Sequence, residues 1–599
     1  MQTEADKFKN LLKQVWKPAR YLGNEWNAVK KEHSSVDVRM VFAFPDLYEV
    51  GMSNQGLKIL YESINRHPRM LMERVFSPAI DMENLLREYK LPLLSLESYK
   101  PLKDFDVIGF SLQYELSYTN VLNMLDLADL PFYSTERGES DPLVVGGGPC
   151  AFNPEPLAPF FDLFILGEAE EFLPGLLEFY LDLKNQGFNR KEILVRLSSC
   201  EGVYVPSFYR PLYSGSDFLG MERLDNRVPE IIKKVTVNNL DDAPFPTAPI
   251  VPYMQTIHDR AVIELFRGCS RGCRFCQAGY IFRPVRRRSM DILQETAREI
   301  IKDTGYEEIS LVSLSSTDYP RLESLIDNLD RDLSGDKVKC SLPSLRLDSY
   351  SIKLADKLHH GRKSNLTFAP EAATERLRRV IRKNISEAEV FSALSDAIEA
   401  GWQGFKLYFM IGLPTEREED VEEIVSLCSR LRKHFRGKSK RKININVSIS
   451  TFVPKVHTPF QWEPQLSMEK VYRRQDILRK GFKKLSGVDF SWHEARASFL
   501  EAVFARGNRE LAPVLELAWQ LGCRFDGWSE YFHFDLWREA FQKTGVRGEN
   551  YAYRRFSYEQ NLPWDHLHCG VDKKVLVGEH QKALAGDEPE GVTNDPNLF

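Results

Sequence analysis

Six short apolar runs recur between residues 261 and 451, each followed by a stretch with helical spacing. They are AVIELF (261–266), EISLVSL (308–314), VKCSLPSL (338–345), NLTFAP (365–370), FKLYFMIG (405–412) and INVSIST (445–451). Strands that alternate with helices pair in parallel, because each helical crossover returns the chain to the same end of the sheet. Six such units fall short of the eight that close a barrel. The expectation is an α/β fold with an open, partial (β/α)6 TIM-type barrel over residues 255–485. In the helix after the first run, Ile292/Leu293, Thr296/Ala297 and Ile300/Ile301 fall at four-residue intervals and define its buried stripe. Chemistry in such folds collects at the carboxyl ends of the strands, so the loop after each run is where functional residues are sought.

A chain of 599 residues needs more than one core. An earlier alternation occupies residues 36–200, where VRMVFAF (38–44), DVIGFSL (106–112), LVVGGG (143–148) and DLFILG (162–167) read as strands with helices between them. That pattern predicts a doubly wound, Rossmann-type domain. Residues 1–35 read as a charged helical lead-in and 201–254 as a proline-bearing linker. Residues 486–578 are aromatic-rich and mainly helical, and 579–599 read as a polar disordered tail.

Net charge is −5, from 80 basic and 85 acidic residues, so no bulk charge draws the chain to nucleic acid or to an anionic surface. No apolar run reaches the roughly 18–20 residues of a membrane helix. The opening residues are polar, without an apolar signal core, and a cytoplasmic protein with no membrane partner is expected. Nine cysteines, mostly scattered, do not make a disulfide framework.

The one tight cysteine group is FRGCSRGCRFCQAGY (266–280), which places Cys269, Cys273 and Cys276 on a loop between the first barrel strand and its helix. Thiolates select zinc, copper(I) or iron–sulfur clusters. Structural zinc wants four closed ligands, and the chain has no second CxxC or HxxxH pair, which leaves a zinc site completed by His258 or His457 as the alternative reading. Gly268 and Gly272 give the loop the backbone freedom to wrap a metal centre.

This CxxxCxxC loop at the head of a strand–helix repeat resembles that of radical S-adenosylmethionine (SAM) enzymes, and the likeness extends over residues 255–480. The resemblance implies one 4Fe-4S cluster on Cys269, Cys273 and Cys276, with SAM chelating the open iron and an electron delivered by flavodoxin or ferredoxin. It places Phe275 against the adenine. The second strand ends in SLSSTDY (313–319), where relatives carry GGE, so Ser313 and Ser316 stand in for the group that receives the SAM amino nitrogen. Ser344 and Arg346 of LPSLRLD would face ribose and carboxylate. Glu371 of FAPEAATERLRRVI is the rim carboxylate, and Ile411 and Gly412 of YFMIGLPTE run along the adenine. The alternative for Arg346 and Glu371 is a structural ion pair, and for Ile411 plain barrel core. The basic stretch RPVRRRS (283–289) reads either as a site for phosphate on a substrate or nucleic acid or, preferably, as a solvated face or a contact to the cysteine loop and the helix after it.

The first domain resembles cobalamin-binding domains, whose fingerprint is DxHxxG, a serine at a strand end, then GG. Here Asp46, Tyr48 and Gly51, then Ser111, then Gly146 and Gly147 occupy those positions, with Tyr48 in place of the cobalt-ligating histidine. Two readings follow: cobalamin held without a protein histidine, or a domain that has kept its shape without the cofactor. Methylthiotransferases, which carry a cysteine triplet in this domain, fit less well, because only Cys150 and Cys200 precede the barrel. Segments FVPKVHTPFQW (452–462), FLEAVFARGNREL (499–511), CRFDGWSEYF (523–532) and LPWDHL (562–567) are similar to an uncharacterised group of cobalamin-binding-domain radical SAM proteins. That resemblance implies an enzyme with an unidentified substrate, whether small molecule, RNA or protein. Its activity is either cobalamin-dependent methyl transfer or cobalamin-independent hydrogen abstraction, rearrangement or oxidation. A zinc-stabilised binding module is the non-enzymatic alternative. The C-terminal region either caps the open side of the barrel and brings aromatics such as Trp528 and Tyr531 to the substrate, or is ordinary helix packing.

Overall fold

The computed structural model describes residues 3–215, 217–333, 335, 338–343, 352, 354, 365–436 and 443–586. The first domain is built on a six-stranded sheet of order β2-β1-β3-β4-β5-β6. Its strands are β1 (Val38–Phe44), β2 (Met70–Phe76), β3 (Val107–Ser111), β4 (Leu143–Gly147), β5 (Leu163–Ile165) and β6 (Val203–Tyr204), of which β6 alone is antiparallel. The 2-1-3-4-5 order is the flavodoxin-like doubly wound topology. Strand β2 has no counterpart in the sequence reading. Its MLMERVF holds two adjacent charges, yet every position is buried. Arg74 is fully enclosed and pairs with Glu25 (2.7 Å) and Glu97 (2.6 Å), so an internal ion cluster replaces the apolar pattern expected of a covered strand.

The 201–254 segment carries an antiparallel hairpin, β7 (Tyr209–Ser214) with β8 (Asp217–Arg223), and the short β9 (Ile232–Lys233). Of the expected helical lead-in, helix forms only at Glu4–Leu11, with short 3-10 turns at Pro18–Tyr21 and His33–Ser35. The rest is irregular because it threads Glu25 and Trp26 into contacts with Arg74 and the Asp303 carbonyl.

The barrel strands are β10 (Ala261–Glu264), β13 (Glu308–Val312), β14 (Lys339–Ser341), β15 (Asn365–Glu371), β16 (Gly404–Ile411), β17 (Asn444–Thr451) and β18 (Val488–Trp492). They form parallel sheets β10-β13-β14 and β15-β16-β17-β18, and no closed barrel is seen among the described residues. Between β10 and β13 lies the small antiparallel pair β11 (Phe266–Arg267) and β12 (Arg286–Arg287). Strand β18 is a seventh unit beyond the six expected. Its VDFSW buries little except Val488, an edge pattern that reads poorly in sequence.

The C-terminal region is helical, with helices Ala495–Ala505, Ala512–Gln520, Phe534–Thr544 and Lys573–Ala585 and the short β19 (Leu567–His568), which pairs with β9. The last helix corrects the expectation of disorder from residue 579, since its structure continues to Ala585. Trp528 and Tyr531 are packed as ordinary helix-region contacts against the first domain. Trp528 Nε1 donates to Asp46 (2.9 Å), and Trp528 and Tyr531 pack with Leu47, Ala79 and Phe525 over the first domain. Among the described residues no helix is long and apolar enough to cross a membrane.

Candidate radical SAM site and interdomain cavity

The cysteine loop is held at several points. The β11–β12 ladder closes its base. Gly268 has φ +88°, and a Cβ there would stand 2.6 Å from the Pro284 carbonyl, so the turn requires glycine. Within the loop, the Arg274 amide donates to the Ile381 carbonyl (3.1 Å). The buried Arg274 guanidinium donates to the Val380 carbonyl (2.9 Å) and pairs with Glu579 (3.1 Å) of the last helix. Arg271 Nε donates to Asp318 (2.8 Å), tying the loop to the segment after β13.

Cys269, Cys273 and Cys276 are all half-buried and unpaired with one another. Burial pushes the Cys273 thiol up to about 12 and raises that of Cys276, with Lys383 drawing both back. Bound iron removes such protons outright. Among the described residues no three His, Cys, Asp or Glu side chains close on a single ion. Of the two candidate fourth zinc ligands, His457 is engaged elsewhere, buried with Nε2 2.9 Å from the Phe152 carbonyl and its imidazole pushed down to about 4 by burial.

Several expected SAM contacts gather at this rim. Phe275 packs against an apolar cluster that includes Ala372, Leu413 and Phe452, which follow β15, β16 and β17. Glu371 ends β15 at a bulge with φ +67°, strain that re-aims a side chain at a strand end. Burial raises its carboxyl, and Lys383 stands 3.6 Å away. Glu371 thus has an ion-pair partner in Lys383, while Arg346, the other member of the expected pair, lies outside the described residues. Lys383 feels the same thiols, and nothing in its sequence surroundings marked it. Ser313 is half-buried, whereas Ser316 is fully buried and hydrogen-bonded to Ser313 (3.0 Å) and the Leu311 carbonyl (3.3 Å), so the Ser316 hydroxyl is turned inward. The Ile411 side chain lies in the barrel core. Gly412 has φ +83° and its amide donates to both Glu416 oxygens (2.9 Å each), with Glu416 paired to Arg474 (2.6 Å). Ser344 and Arg346 lie outside the described residues.

Two arginines of the basic stretch are buried against the first domain and the segment that follows it, not solvated. Arg286 is buried against Glu168 (Nη2 to Oε1, 2.8 Å), and Arg288 is buried with its guanidinium 4.7 Å from the Phe245 ring centre.

A cavity of about 290 Å³ lies between the first domain and the barrel. Its floor is one face of the sheet, with Phe42, Gly109, Ser111, Val145 and Gly147 at alternate strand positions, and helix Gln55–Asn65 supplies a wall. Glu264, Arg267 and Phe282, which flank the cysteine loop in sequence, supply another wall. Gly146 also borders the cavity, although a Cβ there would strike the Phe164 ring at 2.5 Å, so its smallness serves packing. At Gly147 a Cβ would meet nothing closer than 3.8 Å, which leaves open space above it. Tyr48 and Gly51 are not part of this cavity. The Tyr48 hydroxyl donates to Glu25 (2.8 Å), its ring packs edge-on against Phe76, and a Cβ on Gly51 would strike Phe76 at 2.2 Å. Burial and then the Glu25 carboxylate raise the Tyr48 phenol far above its usual range, so it keeps its proton. That position therefore holds the sheet edge together and offers no phenolate to a metal.

One further cluster had no signal in the sequence. Lys455, following β17, pairs with Glu115 (2.6 Å) of the first domain and Glu501 (2.9 Å) of the C-terminal region, and Glu501 also accepts from Tyr114 (3.1 Å). Three segments far apart in the chain meet there.

A three-thiol loop at the head of an incomplete parallel β/α barrel defines a class of enzymes that begin catalysis at an iron–sulfur cluster. The chain belongs to the radical SAM superfamily: that family's model matches residues 263–428, and the model for the N-terminal part of radical SAM proteins matches residues 56–206. It is 32% identical over 477 residues to the uncharacterized protein MJ0966 of Methanocaldococcus jannaschii, covering 79% of this chain and 89% of that one. It is 25% identical over 229 residues to the ribosomal protein uS12 methylthiotransferase RimO of Hydrogenobaculum sp., covering 36% of this chain and 55% of that one. Among solved structures, the cobalamin-dependent SAM radical enzyme OxsB, with aqua-cobalamin and SAM bound, aligns over 96% of this chain and 84% of that one, at 12% identity and a TM-score of 0.46. The protein is accordingly a radical SAM enzyme whose cofactors include a 4Fe-4S cluster and SAM, and whose reductive chemistry requires an electron donor.

Proposed function

We propose that this enzyme is cobalamin-dependent and transfers a methyl group to an unactivated carbon of its substrate. The observation that carries the reading is the cavity whose floor is the carboxyl-end half of the first sheet and whose far wall is the strand and loop bearing the cysteines. Ligands of doubly wound sheets sit at this end. The volume suits a nucleotide tail, with Gly147 and Ser111 leaving room for it. The chemistry supplied by the bound groups is an electron and an open iron from the cluster, a 5′-deoxyadenosyl radical from SAM, and a methyl carrier in cobalamin.

The chain's own residues do the positioning. Cys269, Cys273 and Cys276 hold the cluster. Phe275 offers its ring to the adenine, Glu371 and Lys383 face the charged groups of SAM, and Ser313 presents the hydroxyl beside them. Glu416 fixes the Gly412 backbone that the adenine follows. Because Tyr48 is committed to Glu25, cobalamin would be held without a lower protein ligand. The donor of the electron is a flavodoxin- or ferredoxin-type protein.

Anaerobic purification tests this. Cys273→Ala should lose the iron–sulfur absorbance and 5′-deoxyadenosine release. Wild-type enzyme should retain added hydroxocobalamin through desalting, and Gly147→Phe should lose that retention while still cleaving SAM. Wild-type enzyme that cleaves SAM but never retains hydroxocobalamin would instead be a cobalamin-independent radical SAM enzyme, and the methyl-transfer reading would fall.

A further inference from the structure

A second cavity, of about 350 Å³, lies between the β7–β8 hairpin and the C-terminal region, and none of its lining belongs to the site above. Three arginines face it, Arg506, Arg547 and Arg554, against one carboxylate, Glu510. Glu510 is already occupied, accepting from Asn508 Nδ2 (3.0 Å) and the Tyr551 hydroxyl (3.2 Å).

Arg506 is the informative residue. Its side chain is fully buried, with the guanidinium 4.1 Å from the Phe556 ring centre. Its Nη atoms donate to the carbonyls of Tyr551 (2.7 Å), Ala552 (3.1 Å) and Arg554 (2.7 Å), while Nε has no partner. Those carbonyls satisfy donors without neutralising charge. The other fully enclosed arginines, Arg74, Arg274 and Arg378, each have a carboxylate within 4 Å, whereas among the described residues no carboxylate lies within ion-pair distance of Arg506. Burial, reinforced by the neighbouring Arg554, pushes its guanidinium down to about 9, and Glu463, beyond ion-pair distance, draws it only partly back. A buried charge left uncompensated is costly, and an anion in the cavity would remove the cost. Arg547 is exposed at the rim, and Arg554 reaches it from its pairing with Asp217 (2.5 Å). Guanidinium groups match the tetrahedral oxygens of phosphate with paired donors, and the volume suits a small molecule.

We propose that this cavity binds a phosphate-bearing small molecule, with its phosphate seated against Arg506, Arg547 and Arg554. The inference stands apart from the methyl-transfer reading. It is tested by calorimetric titration of the full-length cluster-loaded enzyme, with saturating SAM present to block the adenine site. The probes are inorganic pyrophosphate, AMP and adenosine. Saturable binding of pyrophosphate or AMP with adenosine silent is expected, and the ratio of the two affinities tells a free phosphate from one carried on a nucleotide. The double variant Arg547→Ala/Arg554→Ala should bind about ten-fold or more weakly, keep its iron–sulfur absorbance and cleave SAM normally, while Arg538→Ala should bind as wild type. Absence of saturable binding at millimolar probe, or binding that the double variant leaves unchanged, would overturn the proposal.

Discussion

Asp526 is a buried carboxylate with no cation within ion-pair distance among the described residues. Its oxygens accept from Thr119 Oγ1 (2.7 Å) and Trp537 Nε1 (2.8 Å), and burial pushes its carboxyl up from 3.8 to about 6. The unfolded chain releases this proton near 3.8, whereas the folded protein keeps it to about 6. Between those values the native state binds more protons, so the contribution of Asp526 to stability falls as pH rises through the window and is level above it. Asp526→Asn, which keeps the size and an acceptor for Trp537, should therefore be close to neutral near pH 4 and stabilising at pH 8, by about 3 kcal/mol at most. Denaturant unfolding of both proteins at a series of pH values reads the difference, and a difference that does not change with pH would rule the account out. The same scale shows what sequence can carry. The cysteines were legible because their chemistry is set by spacing within eight residues. Tyr48 was legible as a departure from a fingerprint, but its role was not, because Glu25 and Arg74 reach it from segments with no local relation to it.

At the scale of elements, the repeat of strand and helix revealed the doubly wound domain and most of the barrel, since covered parallel strands are nearly continuous apolar runs. It failed where that rule fails. Strand β2 is covered yet charged, and β18 is an edge strand with one side open. The helix Lys573–Ala585 failed for another reason. Its sequence is weakly amphipathic, and what holds it is Glu579, shared by Arg274 (3.1 Å) and Arg382 (3.2 Å), and His580, set between Tyr558 (2.7 Å) and Glu463 (2.9 Å). The helix thereby braces the cysteine loop from behind. Glu579→Gln would leave the buried Arg274 without its carboxylate, a change on the order of 3–5 kcal/mol. The expected result is a protein that folds but loses its cluster on brief exposure to air several-fold faster than wild type, followed by the decay of the iron–sulfur absorbance. Equal decay rates would show that the helix merely packs beside the loop.

At the scale of the molecule, chain order and physical units differ. One core runs through the first domain and the C-terminal region together, including Val41, Val144, Leu122, Phe504, Leu515 and Trp537, while the barrel sheets have cores of their own around Phe405 and Ile449 and around Ile263 and Leu325. Helix Ala512–Gln520 packs on helix Tyr118–Leu127, and the Asp526 carboxylate is shared between Thr119 of the first domain and Trp537 of the C-terminal region. The chain leaves the first domain, builds the barrel, and returns to complete the core it began. Trp537 is 1% exposed with its ring 5.3 Å from Phe504, and truncating a buried tryptophan costs about 3–5 kcal/mol. If the two regions are one cooperative unit, Trp537→Ala should lower hydrogen-exchange protection in β1, β3 and β4, about four hundred residues or more away in sequence, as much as in the neighbouring helix Ala512–Gln520. Protection in β16 and β17, which belong to a separate core, should stay as in wild type. Loss confined to the C-terminal helices would mean that they unfold alone, and that the first domain stands without them.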